Sequence, residues 1–366
     1  MKVGRLFGIE ITVNPTWVLV FALVAYAVAS PLGPLAGKTL SLGERTALGV
    51  AGSLLFFASV LLHELAHSLL ARSRGVPVRG ITLFIFGGVS AMEGEPATAP
   101  AEAWISAVGP LTSLALGLLF YGLALLAGDT PPGLVLGYLA FANVVLALFN
   151  VLPAFPLDGG RVLHALVWRA TGDRLRATRI AANVGAAISV LLIVAGIAEA
   201  LVYGSPSGLW LTFVGWYLLQ AGNVERRQSE MRSTLTGHTA VELVAPPELR
   251  VAADATAASV LQRMRDLHAG VLPVYVGERF IGFASVDDMA KVATNELATT
   301  FVTAVMTRVE QTPEIPASAP ADDAVRAMGA AGSRALAVVL PDGECAGAIT
   351  RESVVRWLAS RLEPSP

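Results

Sequence analysis

The sequence has few charges and a single cysteine. Only 15% of its 366 residues are charged, against about 25% in an average soluble domain. Cys345 alone excludes an internal disulfide framework and a zinc cluster built on cysteines. The 26 basic residues are balanced by 28 acidic ones, so no basic face for nucleic acid is expected. With 54% hydrophobic residues and a mean hydropathy of +0.62, the chain is neither disordered nor an ordinary soluble protein.

The hydrophobic residues form long runs before residue 225. A bilayer span needs about 20 mostly apolar residues, which disfavours the alternative of a large soluble helical core. Six candidate spans lie at 14–31, 48–70, 104–127, 134–152, 180–202 and 208–224. With the N-terminus placed in the cytoplasm, twelve lysines and arginines fall in the inner segments and two in the outer ones. This bias predicts a multi-pass protein of the cell (plasma) membrane with both termini in the cytoplasm.

The remaining third of the chain has a different composition. Residues 225–237 are polar and predict a linker or a helical extension. From residue 238 to 362 the order helix, strand, turn, strand, helix occurs twice. This repeat resembles a tandem pair of cystathionine-β-synthase (CBS) domains, with boundaries at 238–295 and 296–366.

The CBS resemblance implies a ligand and a partner. CBS pairs commonly form a disc with clefts for an adenine nucleotide, in which a Gly-x-x-Ser/Thr-x-x-Asp element places the aspartate on the ribose. Gly282, Ser285 and Asp288 match this element, whereas Ser353 stands where the second half would need the aspartate. The resemblance therefore implies at most one equipped cleft, and a homodimer through the CBS pair. A pair that dimerises without a ligand is the open alternative.

Two histidines and a glutamate interrupt the second apolar span. In His63-Glu64-x-x-His67 the histidines are four residues apart, so on a helix both can reach one zinc ion. Glu64 can then serve as the general base toward a water on that ion. Ionisable groups within a membrane are costly and usually functional. A buried hydrogen-bonded histidine–glutamate pair is the alternative.

A catalytic zinc site needs a third protein ligand. The fourth span ends in a stretch, 149–161, that is broken by two prolines and contains Asp158 followed by two glycines. Irregular backbone at membrane depth is tolerated only where it is buried in protein or lines a cavity. Asp158 is therefore the predicted third ligand. A helix cap or an ion pair with Arg161 is the alternative.

The two motifs read His63-Glu64-x-x-His67 and Asn150-x-x-Pro153-x-x-Pro156-Leu157-Asp158-Gly159-Gly160-Arg161. Together they resemble the site-2 protease family of intramembrane zinc metalloproteases, one branch of which carries a C-terminal CBS pair. The resemblance implies one catalytic Zn²⁺ bound by His63, His67 and Asp158, with Glu64 activating the water. It implies that Asn150 holds or polarises the scissile carbonyl. An interhelical hydrogen bond is the alternative for this asparagine.

Two further segments match the family. Residues 81–92 contain Gly87 and Gly88, and the resemblance implies a re-entrant β-hairpin whose edge strand binds the extended substrate. An ordinary interfacial loop is the alternative. Gly109, Pro110 and Ser113 in the third span are interpreted as helix-packing residues rather than as chemistry.

The predicted fold is a polytopic α-helical membrane protein with about six transmembrane helices and a C-terminal α/β tandem CBS domain. Residues 1–224 would be the metalloprotease domain. The predicted function is hydrolysis of a single-span membrane protein in or near the bilayer, with the CBS pair as a nucleotide-responsive regulator. The family implies a regulatory substrate such as a membrane-bound anti-sigma factor. The alternative is a metal-binding transporter or scaffold, which would need polar groups along a path through the membrane rather than near one face.

Overall fold

The computed structural model describes residues 1–32, 40–84, 87–331 and 334–362. Two compact units divide the chain, Met1–Arg227 and Gln228–Pro366. The elements that begin in the first unit are, in chain order, β1 (Lys2–Leu6), β2 (Ile9–Val13), α1 (Trp17–Ala29), α2 (Leu42–Ser73), β3 (Val78–Phe84), β4 (Gly87–Met92), α3 (Ala99–Ala127), α4 (Pro131–Val151), α5 (Asp158–Thr171), α6 (Arg174–Tyr203) and α7 (Pro206–Leu235).

Four helices of the described residues are long and apolar enough to cross a bilayer: α2, α3, α4 and α6. They coincide with the predicted spans at 48–70, 104–127, 134–152 and 180–202. The other two predicted spans are also helical, but α1 has only 13 residues and α7 continues to Leu235 through a polar sequence. Over the part of the chain that the structure describes there are thus four candidate spans, where the sequence predicts six. Most of the segment 225–237 continues α7, so that it is a helical extension rather than a linker.

The long helix α2 begins at a strong capping signal and packs closely on α1. Ser41 and Glu44 form a capping box, in which each side chain accepts a hydrogen bond from the backbone of the other. A Cβ at Gly49 would lie 2.4 Å from the carbonyl oxygen of Ala25. The glycine therefore allows α1 to approach the helix that carries the predicted zinc ligands.

The break between α4 and α5 is where the prolines predict it. Helix α4 ends at Val151, and α5 begins with Asp158 as its first residue. A Cβ at Gly159 would lie 2.1 Å from the carbonyl oxygen of Val151, and one at Gly160 would lie 2.6 Å from the carbonyl carbon of Ala154. The two glycines thus let the start of α5 pack tightly against the end of α4, which positions Asp158.

The four strands of the first unit form one sheet in the order β1-β2-β3-β4. Strands β2 and β3 are parallel, whereas β3 and β4 are antiparallel. The hairpin predicted within 81–92 is therefore confirmed, with strand bounds of Val78–Phe84 and Gly87–Met92. Within the described residues β4 pairs only with β3, so it is an edge strand.

The second unit contains two short sheets and the helices that cover them. Its elements are β5 (Val251–Ala252), α8 (Ala257–Asp266), β6 (Val271–Val276), β7 (Arg279–Ser285), α9 (Val286–Met289), β8 (Thr307–Arg308), β9 (Glu314–Pro316), α10 (Ala321–Ala331), β10 (Ala335–Val339), β11 (Cys345–Thr350) and α11 (Arg351–Leu362). The sheets have the orders β5-β6-β7-β8 and β11-β10-β9. Each half thus has the predicted helix, strand, strand, helix order. The helix expected from Val286 is only four residues long.

Candidate metal centre

The three predicted zinc ligands converge at one point. The Nε2 atoms of His63 and His67 lie 3.1 Å apart. Asp158 Oδ2 lies 3.3 Å from the first and 3.2 Å from the second. Helix α2 supplies both histidines one turn apart, and the proline break brings the first residue of α5 to them. A metal ion bound here would have two imidazole nitrogens and one carboxylate oxygen as protein ligands.

The hydrogen bonds around these side chains fit a cation. His67 Nδ1 donates to the backbone carbonyl of Ile105 at 2.6 Å, which leaves an unprotonated lone pair on Nε2 of the neutral ring. Asp158 Oδ2 is buried and has no hydrogen-bond partner in the described structure. Two lone-pair atoms that face each other repel unless a cation lies between them, and histidine with carboxylate is a donor set suited to Zn²⁺. The helix-cap alternative for Asp158 is wrong, because the capping position is occupied by Leu157.

Helix α3 covers the histidines. Ser113 Oγ lies 2.9 Å from His63 Nδ1, so each histidine has its second ring nitrogen bonded to α3. Such outer contacts orient metal-binding histidines. A Cβ at Gly109 would lie only 2.1 Å from His67 Nε2 and 2.7 Å from His63 Nε2. Gly109 and Ser113 are therefore small residues at a close helix contact, as interpreted from the sequence. They lie four residues apart on one helix face, and the side chains that they pack against are the predicted ligands.

Glu64 lies beside the edge strand. Its Oε2 accepts a hydrogen bond from Ser90 Oγ at 2.9 Å, and Ser90 Oγ is 3.0 Å from Ser68 Oγ. A Cβ at Gly88 would lie 2.4 Å from Glu64 Cγ. Gly88 and Ser90 are two residues apart on β4 and so lie on the same face of the strand. Ser90 was not predicted from the sequence; its place two residues after Gly88 was the available signal.

We expect Ser90→Ala to lower the rate of peptide cleavage roughly 10- to 100-fold, because a hydrogen bond to a charged group contributes about 1.5–3 kcal/mol. Zinc content should not change, since Ser90 bonds to Glu64 and Ser68 and to none of the three predicted ligands. Turnover of a tagged substrate measures the effect. Ser90→Thr keeps the hydroxyl and should restore most activity. Val89→Ala, on the exposed face of the same strand, is the matched control; equal rates for it and Ser90→Ala would contradict the prediction.

The amide of Asn150 bonds within its own helix. Its Nδ2 donates to the carbonyl oxygen of Leu146 at 3.0 Å. The interhelical hydrogen bond considered for Asn150 is made instead by Asn143, whose fully buried amide donates to Ser59 Oγ at 3.3 Å. The role of Asn150 at the scissile carbonyl stays a prediction.

A second buried polar pair joins α3 to α5. His164 Nδ1 lies 2.9 Å from Glu102 Oε1 and its Nε2 lies 3.3 Å from the carbonyl oxygen of Arg174. Both side chains of the pair are buried, at 6% and 7% exposure. The pair thus links the helix that covers the histidines to the helix that begins with Asp158.

Loss of one member of the Glu102–His164 pair should destabilise the fold more than loss of both members. Losing one partner of a buried ion pair typically costs about 3–5 kcal/mol, whereas replacing both by apolar residues can be nearly neutral. We therefore expect Glu102→Leu to lower the thermal unfolding midpoint in detergent, and Glu102→Leu/His164→Leu to recover most of the loss. A double variant less stable than the single one would contradict this expectation.

The predicted nucleotide-binding residues of the second unit bond to each other. Asp288 Oδ2 accepts from Ser285 Oγ at 2.7 Å, and Lys291 Nζ donates to Oδ1 at 2.8 Å. Burial raises the pKa of Asp288, but the hydrogen bonds from Lys291 and Ser285 outweigh it and hold that pKa below its usual value. Ser285 and Asp288 together form the capping box of α9. In the second half Thr350 and Ser353 exchange equivalent backbone bonds without a carboxylate.

These features define the class of protein: a helical membrane protein with a His-His-Asp metal site and a glutamate beside it, as in a metal-dependent peptidase. The comparisons agree. Residues 51–132 and 132–192 match the model of Peptidase family M50, and residues 302–360 match the CBS domain. The chain is 32% identical to the putative zinc metalloprotease sll0528 of Synechocystis, over 98% of this chain and 95% of that one. The protein therefore belongs to peptidase family M50, the site-2 proteases, and is a zinc metalloendopeptidase of that type.

The chain is also similar to two other proteins. The putative zinc metalloprotease Rip3 of Mycobacterium tuberculosis is 31% identical over 98% of this chain and 92% of its own. A solved structure of the site-2 protease from Methanocaldococcus jannaschii is 27% identical and covers 62% of this chain and 94% of that one, with a TM-score of 0.44.

Proposed function

We propose that this protein hydrolyses a peptide bond of a single-span membrane protein in or near the bilayer, with its CBS pair as a nucleotide-responsive regulator. The observation that carries the proposal is the convergence of His63, His67 and Asp158 next to Glu64 on an apolar helix. Cleavage of a soluble substrate would not require catalytic groups within a membrane. Cleavage of a single-span protein would require them, because the peptide bonds of its span lie within the bilayer.

The residues of this chain suggest how the proton moves. A bound zinc ion supplies a Lewis acid and lowers the pKa of a water to about 7. Glu64 accepts the proton of the attacking water on the oxygen that Ser90 does not hold, and then gives it to the leaving amide nitrogen. Ser90 keeps the carboxylate in place. Asn150, once its amide turns from Leu146, donates to the oxygen of the scissile carbonyl.

Strand β4 is the proposed binding edge for the unfolded part of the substrate. A transmembrane helix protects its own peptide bonds, so cleavage requires an extended segment. The edge of β4 that has no neighbouring strand among the described residues can accept such a segment as an added strand. Gly87 and Gly88 begin this strand, and Gly88 contacts Glu64. An added strand would therefore lie close to the proposed base.

We further propose that α1 and α7 also cross the plasma membrane, so that six spans leave both termini in the cytoplasm. The support is the distribution of lysine and arginine. Cysteine labelling of intact cells tests it in a Cys345→Ser background. Asp129→Cys, after α3, should react with an impermeant maleimide, whereas Ser73→Cys, at the end of α2, should react only after lysis. The reverse pattern would contradict the orientation.

For the second unit we propose an adenine nucleotide at Ser285 and Asp288 and a homodimer through the CBS pair. A nucleotide would have to replace the bonds that Asp288 makes to Ser285 and Lys291. Calorimetry of the full-length protein with ATP and AMP, beside Asp288→Ala, tests binding, and cleavage rates with and without nucleotide test regulation. Light scattering reports the dimer. Absence of both binding and rate change would contradict the regulatory role.

The proposed substrate is a membrane-bound regulator, such as an anti-sigma factor. The direct test of the proposed function is cleavage of tagged single-span proteins by purified protein, with zinc measured on the same sample. Cleavage within or beside the span supports the proposal. Zinc binding without cleavage of any of several single-span proteins would contradict it and favour a transporter or scaffold.

A further inference from the structure

We propose that an apolar groove lined in part by Asp158 is the pocket for a large apolar side chain next to the scissile bond, and that Ala147 sets the size of the side chain it accepts. This inference rests on the proposed function and names a specificity element of the same site. The groove has a volume of about 460 Å³ and lies between α3, α4 and α5. None of its lining residues other than Asp158 is charged or carries a polar side chain.

The groove adjoins the candidate metal centre. Asp158 lines it, and the Oδ2 atom of the same residue lies 3.2 Å from His67 Nε2. Pro110, which also lines the groove, directly follows Gly109, the residue that covers both histidines. A peptide bond held at the three ligand atoms would therefore place an adjacent side chain near the groove. This proximity selects a substrate side chain as the occupant.

The chemistry of the walls selects an apolar side chain. Helix α3 contributes Pro110 and Leu114, which are four residues apart and share one face of the helix. Helix α5 contributes Val162. A lysine or glutamine side chain inside would lose its hydrogen bonds to water and find only one polar partner, Asp158. The volume lies at the lower end of the range of ligand pockets, roughly 300–1,000 Å³, and so has room for a leucine or phenylalanine side chain.

Ala147 leaves space for such a side chain. It is 5% exposed and belongs to α4, where it lines the inner side of the groove. A larger residue at this position would fill the groove from within. Leu111, which is 53% exposed, lies on the outer side, and a tryptophan there would fill it from the opposite direction. Two substitutions on different helices can thus change the same volume.

The test is a change of side-chain preference. A single-span substrate is made with leucine, phenylalanine, alanine or lysine at each residue flanking the mapped cut. At one flank, we expect wild-type kcat/KM to be at least tenfold higher for leucine and phenylalanine than for alanine, and lowest for lysine. Ala147→Phe and Leu111→Trp should lower kcat/KM for the phenylalanine substrate at least tenfold and leave kcat/KM for the alanine substrate within about threefold. General damage to the enzyme would lower both values alike.

Leu125→Trp, at an exposed position of α3 outside the groove, is the matched control and should keep the wild-type preference. Zinc content is measured for every variant. If wild type cuts without a preference, or if both groove variants keep it, the inference is wrong and the groove holds lipid chains instead. If wild type cuts no single-span substrate, the proposed function is wrong and the inference falls with it.

Discussion

Glu64→Gln leaves zinc bound and lowers peptide cleavage about 10²- to 10⁴-fold, the range that general acid–base catalysis contributes. The amide has nearly the shape of the carboxylate and can still accept the hydrogen bond from Ser90, which is 2.9 Å from Oε2. It cannot accept a proton from water at neutral pH. The three ligand atoms belong to other side chains, so the metal content stays that of wild type. Product formation and metal analysis on the same purified sample measure both quantities.

Two controls separate the base from the ligands. Asp158→Ala removes a predicted ligand and should lose zinc and activity together. Glu44→Gln makes the same chemical change at the exposed start of the same helix and should leave both unchanged. Cleavage by Glu64→Gln within tenfold of wild type would show that another group takes the proton. Loss of zinc in Glu64→Gln would show that Glu64 supports the metal rather than the water.

The ligand set could be predicted because its geometry is mostly local. Histidines four residues apart share a helix face wherever the helix packs, so the pairing of His63 and His67 depends only on the formation of α2. Asp158 was found because prolines end α4 at a predictable place. The same local signals predicted the strands of the second unit, where turn residues separate short apolar runs.

The contacts that surround the ligands could not be predicted in this way. The carbonyl of Ile105 and the hydroxyl of Ser113 bind the histidines only because α3 lies at a particular depth against α2. Ser90 meets Glu64 through the register of β4, and Glu102 meets His164 from a helix that lies far away in the chain. Such contacts depend on tertiary packing, which neither periodicity nor spacing specifies.

Two local patterns each fit more than one structure. Ser285 and Asp288 fit a nucleotide motif, and the same spacing also makes the capping box that these residues form. The nucleotide site stays a prediction. The apolar runs at 14–31 and 208–224 are similar in composition to the other spans. The first run forms a helix of only 13 residues, and the helix of the second continues into polar sequence. Among the described residues, length and composition therefore identify four helices as candidate spans.

The second large effect expected is loss of zinc from Gly109→Ala. Within a helix this substitution normally stabilises, by about 1 kcal/mol. Here the new Cβ would lie 2.1 Å from His67 Nε2 and 2.7 Å from His63 Nε2, in the space that the metal and its ligand atoms share. His67 cannot easily move away, because it is buried and its Nδ1 is bonded to the carbonyl of Ile105. Changes around metal ligands cost about 10- to 100-fold in affinity, and a direct contact should reach the upper end.

Gly122→Ala is the matched control, because it makes the same change on the same helix where a Cβ would meet nothing within 4 Å. Competition with a zinc chelator gives the affinity of each variant, and thermal unfolding without metal gives its stability. We expect Gly109→Ala to fold and yet bind zinc about 100-fold more weakly, and Gly122→Ala to match wild type in affinity. Equal zinc affinities for all three proteins would contradict this prediction. They would mean that α2 and α3 can move apart enough to accept a Cβ at position 109, so that the metal site does not require a glycine there.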